Sequence, residues 1–177
     1  MAKAAPLLAM DENGTLADNA PVMVLIRLTE MVRFAAHIGD PNRVQELHNM
    51  RIAAKRLRYT LEIFQPCFTG SLAKEYKAVY DRVKSIQEQI GEIHDCDVRG
   101  PAIQTFLDDH ARRRPEIRIG LERLIAREKN ERDRMYAEFI EYWAGLCRKG
   151  FRARIFRLVA ALETGTPPEE EAEGASA

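Results

Sequence analysis

His48, Arg51, Lys55 and Arg58 recur at i, i+3, i+7 and i+10, a spacing that gathers all four on one side of an α-helix. At 1.5 Å per residue the row is roughly 15 Å long. Its chemistry is anion binding. Arg presents a planar fork to phosphate oxygens, Lys a movable point charge, and His a donor whose charge follows pH. Four such groups in line repel one another unless an anion lies along them, and Glu62 is the only acid near their end. A solvated basic face is the plainer alternative, and a second row weighs against it.

Lys84, Gln87, Gly91 and His94 repeat the same spacing further along the chain. Gly91 costs roughly 1 kcal/mol in a helix interior relative to Ala, so its place here suggests a close approach to the backbone, by a neighbouring helix or by a ligand. His94-Asp95-Cys96-Asp97 follows. Asp95 and Asp97 are placed to orient basic side chains of the first row, because crowded cations are usually paired.

The elements that must carry these rows read as helices. Residues 1–20 lack periodicity and include Asn13-Gly14, the reading of a loose leader. Pro21 can open a first helix with Val24, Leu25, Leu28, Met31, Val32 and Ala35 on its apolar face. Asp40-Pro41 supplies an N-cap and a first-turn proline for a second helix, which carries the first row and closes at Pro66 and Gly70. Its apolar face is Leu47, Met50, Ala54, Leu57, Leu61 and Phe64. A third helix from Ser71 to Arg99 buries Tyr76, Val79, Val83, Ile86, Ile90 and Ile93, with Tyr80 among them. Gly100-Pro101 stops it and starts a short fourth, which ends at Arg112-Arg113-Arg114-Pro115. A long fifth helix runs from Glu116 to about Leu146, its face of Ile117, Leu121, Leu124, Ile125, Met135, Phe139 and Tyr142 interrupted by Glu128, Glu131 and Arg132. A last helix ends near Leu162. No β-alternation appears. The fold expected is all-α: a bundle of five or six helices, several of them long, over 21–163.

The formal net charge of zero conceals an asymmetry. Residues 163–177 hold five acids and no Lys or Arg, which leaves 27 basic against 22 acidic residues in the body. A basic body with an acidic, disordered tail over 164–177 suggests an anionic partner. No run of 18 apolar residues is present, so no membrane span is expected, and Met1–Met10 is too weak for a signal peptide. Cys67, Cys96 and Cys147 are odd in number and far apart, the pattern of reduced thiols in a cytosolic protein.

The two rows also carry a resemblance. His48-x-x-Arg51 followed by Lys55-Arg56-Leu57-Arg58-Tyr59 resembles the signature of the CHAD domain, the conserved histidine α-helical domain. Gly91-Glu92-Ile93-His94-Asp95-Cys96-Asp97-Val98 is similar to that family's second motif, and the resemblance covers roughly 20–160. It implies a non-catalytic helical module, with no cofactor or metal, that binds inorganic polyphosphate along a basic surface or pore. His48, Arg51, Lys55 and Arg58 would line it, Lys84 and His94 would face them, and Arg56, Gln87, Asp95 and Asp97 would support them. The family often has Arg where this chain has His94, which implies weaker or pH-dependent binding from that helix. Many members carry two helical units where this chain has length for one, so a full pore implies a homodimer. Such a protein would be cytoplasmic, at polyphosphate granules.

Three other readings compete. A metal-dependent phosphohydrolase would use His48, His37 and His94-Asp95, with a distant acid such as Asp109, although Arg and Lys crowd those histidines. A nucleic-acid binder would use Arg148, Lys149, Arg152, Arg154 and Arg157. No nucleic-acid motif is present, and no aromatic residue lies within the first row to stack a base. A purely structural helical adaptor is the third.

Overall fold

The computed structural model describes residues 3–6, 10–110 and 114–164, and the acidic tail expected over 164–177 lies, apart from Thr164, outside them. The described chain forms five α-helices: α1 (Leu16–Val32), α2 (Val44–Phe64), α3 (Leu72–His110), α4 (Arg118–Arg148) and α5 (Phe151–Thr164). Short 3-10 turns at Gln65–Cys67 and Pro115–Ile117 precede α3 and α4. The architecture is an all-α bundle, with no strand among the described residues.

α2 lies between α1 and α3, while α5 packs on α1 and α3 and α4 runs along α3. The core they share includes the fully buried Leu28, Met31, Met50, Leu57, Leu61, Ile86, Ile90 and Ile155. Every apolar position read from α2, and all those of α3 except the half-buried Tyr80, is buried. The apolar stripes of α2 and α3 are therefore turned towards one core, and the charged rows flank it.

Several helix ends differ from the expectations. α1 starts at Leu16, five residues before Pro21, because Thr15 and Asp18 form a capping box. Thr15 Oγ1 accepts from the Asp18 N–H at 3.2 Å, and an Asp18 carboxylate oxygen accepts from the Thr15 N–H at 2.8 Å. Two otherwise unpaired N-terminal donors are thus satisfied, and Pro21 sits buried inside the helix. Asp40 does not cap α2. Its side chain instead accepts from the Asn42 N–H at 2.9 Å, and α2 begins at Val44.

The short fourth helix does not exist as a separate element. α3 runs through Gly100-Pro101 to His110 as one helix of 39 residues. Proline removes one backbone donor, but packing against α4 holds the helix on both sides of that point. Arg99 pairs with Glu128 at 3.0 Å, Asp97 with Arg132 at 3.1 Å, and Leu107 beyond the proline is buried. Glu128 and Arg132 are therefore cross-helix partners of α3. α4 buries Phe139, Trp143 and Leu146, whereas Leu121, Leu124 and Ile125 remain half-buried.

Candidate functional site: a cation row between two antiparallel helices

α2 and α3 are joined by a short turn and run antiparallel, so their rows can meet only in one register. Two contacts fix it. His48 Nδ1 lies 3.3 Å from His94 Nδ1, and the Tyr80 hydroxyl donates to Glu62 Oε1 at 2.7 Å. That register sets Arg51 opposite Gly91, Lys55 opposite Gln87 and Arg58 opposite Lys84. A third bond, Tyr76 hydroxyl to the Leu61 carbonyl at 2.9 Å, ties the helices at the same end as Glu62 and Tyr80. The equal spacing of the two rows thus becomes a pairing of positions across one helix–helix seam.

At one end the His48 and His94 rings stand 4.4 Å apart, centroid to centroid, and tilted by 44°. Burial lowers the His48 pKa below the ordinary imidazole value, and the neighbouring charges of His94 and Arg51 lower it further.

The middle of the row holds unspent hydrogen-bonding capacity. Arg51 Nε and Gln87 Oε1 are buried and have no hydrogen-bond partner among the described residues. A polar atom in that condition costs about 1–3 kcal/mol. Opposite Arg51, the position a Cβ would take on Gly91 has no heavy atom within 4 Å outside the helix's own backbone. Gly91 is therefore not a packing glycine between helices. A side chain at this position would meet open space.

Lys55 is exposed, with Nζ 5.7 Å from the centre of the Tyr59 ring, and the Arg58 guanidinium lies 4.8 Å from the same ring. Among the described residues Arg58 Nε is buried without a hydrogen bond, and the carboxylate paired with it is Glu62 at 3.5 Å. Lys84 is exposed and pairs loosely with Glu88 at 3.7 Å. Tyr59 and the Glu62–Tyr80 pair were missed in the sequence. Tyr59 is adjacent to Arg58 and four residues from Lys55, a signal within reach, whereas the Tyr80 contact depends on the register.

The supporting residues divide. Arg56 turns away from the row and donates to Glu30 of α1, a carboxylate of 0% side-chain exposure that Arg27 also holds at 2.8 Å. Asp97 does not orient the first row. It accepts from Arg132 of α4, whose other arm donates to the Pro41 carbonyl at 2.7 Å. Tyr136 adds a bond to the Ile38 carbonyl, so Asp97 and its partners secure the α1–α2 connection. Asp95 is exposed, with no hydrogen bond to the row.

Of the residues of the hydrolase reading, His48 and His94 meet across the seam, but His37 and Asp109 do not join them. His37 is exposed and contacts the Arg43 guanidinium at 3.2 Å. Asp109 lies fifteen residues beyond His94 on α3, roughly 22 Å along the helix. No group of three His, Cys, Asp or Glu side chains suited to a metal is present among the described residues. The C-terminal basic cluster is partly committed as well, with Arg154 paired to Glu75 of α3. Cys67, Cys96 and Cys147 are free thiols. No helix of the described residues is long and apolar enough to cross a membrane.

Fold and seam together define an all-α module with a row of cationic side chains along one helix–helix seam. The family model of the CHAD domain matches residues 2–104, and the chain belongs to that family. The match takes in α1, α2 and most of α3, hence both rows. It begins earlier and ends earlier than the 20–160 span read from the motifs. No curated protein and no solved structure matches the chain.

Proposed function

We propose that the protein is a non-catalytic binder of inorganic polyphosphate, held along the α2–α3 seam by His48, Arg51, Lys55 and Arg58 with Lys84 and His94 opposite. The observation that carries this reading is that Arg51 Nε and Arg58 Nε, two members of one cation row, are buried without a hydrogen-bond partner among the described residues. A phosphate chain offers successive anionic oxygens and no base edge, so a row of cations at regular spacing is a sufficient receptor. Membership of the CHAD family supports the same ligand. Partition to polyphosphate granules in the cytoplasm would follow from such binding.

A panel of polyphosphate, pyrophosphate, single-stranded RNA and duplex DNA at matched charge and physiological salt tests the proposal. Polyphosphate should bind most tightly, log K should fall roughly linearly with log salt, and a chelator should leave binding intact. Preference for either nucleic acid contradicts the reading. Loss of binding with EDTA, or release of phosphate, would replace it with the hydrolase.

A further inference from the structure

The cation row has a built end. One helical turn beyond Arg58, the register brings Glu62 of α2 against Tyr80 of α3, whose hydroxyl fixes the carboxylate at 2.7 Å. The same oxygen, Glu62 Oε1, stands 3.5 Å from Arg58 Nε. A fixed negative charge therefore sits where a polyanion would continue past Arg58 and Lys84. At the opposite end the row closes on the His48–His94 contact.

We propose that Glu62 is a specificity-determining residue, a carboxylate stop that limits the polyanion read by the seam to the roughly 15 Å between His48 and Arg58. The inference rests on the proposed polyphosphate site and deepens it. Tyr80 is a positioning residue, because its hydroxyl keeps the carboxylate from swinging out of line. Burial elsewhere does not require this arrangement. The Glu62 side chain is 42% exposed, so water would solvate it without Tyr80 or Arg58. An anion laid along the row meets attraction from every α2 position up to Arg58 and repulsion one turn later. A chain longer than the row must bend away or leave its excess phosphates in solvent.

The test is the ratio of affinities of Glu62→Gln and wild type across a ladder of defined-length linear polyphosphates at physiological salt. Glutamine keeps an acceptor for Tyr80 and removes the charge. Chains shorter than the row should give a ratio near one. Chains that overrun it should bind the variant about two- to fivefold more tightly, the range of an exposed charge contact. Their salt dependence should steepen by about one released counterion. Tyr80→Phe, which frees the carboxylate, should give the same length-dependent pattern at reduced size, and it serves if Glu62→Gln proves unstable. A ratio of one at every length, with tight wild-type binding, overturns the stop and leaves the site intact. An equal gain at every length also overturns it, since Glu62 would then be general repulsion. A wild-type protein that binds no polyphosphate overturns the site and the stop together.

Discussion

His48 and His94, 46 residues apart in sequence, bring their Nδ1 atoms to 3.3 Å across the α2–α3 seam. The contact fixes the register of two rows that share one spacing, and it makes the end of the row sensitive to protons. Burial and the adjacent charges of His94 and Arg51 favour the neutral form of His48, while an anion bound along the row would favour the charged one.

Opposite pH responses should follow for the free and bound protein. A lowered folded-state pKa means that the unfolded chain binds more protons between the folded value and the ordinary value of about 6.5. Stability of the free protein should therefore be full above that window and fall as pH drops through it. Polyphosphate affinity should rise over the same range. His48→Gln with His94→Gln should flatten both curves in denaturant melts and binding titrations. Unchanged slopes would show that the histidines are structural.

Gly91→Ala should stabilise the free protein by up to about 1 kcal/mol, because Ala favours the helix interior and a methyl group meets no atom within 4 Å. Gly91→Leu adds bulk to α3 within the second row and should weaken polyphosphate binding. Loss of stability in the Ala variant, read from urea denaturation, would mean that the space is occupied by the protein itself.

Arg56→Ala should cost about 1–3 kcal/mol of stability and leave polyphosphate affinity within about twofold of wild type. It removes a hydrogen-bond partner from the buried Glu30, and it lies off the row. A loss of affinity matching that of row variants would return Arg56 to the site.

Much of this was legible in the sequence, and the exceptions have common causes. The apolar stripes of α2 and α3 have strict three- and four-residue intervals, so periodicity alone found their buried faces and placed the two rows beside them. Gly100-Pro101 read as a helix end because a proline's local cost is visible, whereas the Arg99–Glu128 and Asp97–Arg132 pairs that hold α3 together there come from another helix. Arg132 and Glu128 looked like breaks in an apolar face for the same reason. Arg56 sits among the cations of the first row, and only the packing of α1 on α2 reveals that it points to Glu30. The Thr15–Asp18 capping box was available in the sequence, but Pro21 was the louder signal.

The most direct test of the cation row compares two double variants of equal formal charge. Arg51→Ala with Lys55→Ala removes adjacent members of the row, each worth about 1.5–3 kcal/mol if it makes a charged hydrogen bond to phosphate. Arg148→Ala with Arg152→Ala removes two exposed cations from the C-terminal cluster and spares the Arg154–Glu75 pair. With helical circular dichroism of both variants at the wild-type level, polyphosphate affinity is measured by titration at physiological salt. The first pair should lose at least about tenfold more affinity than the second. Equal losses would contradict the claim that His48, Arg51, Lys55 and Arg58 form the site.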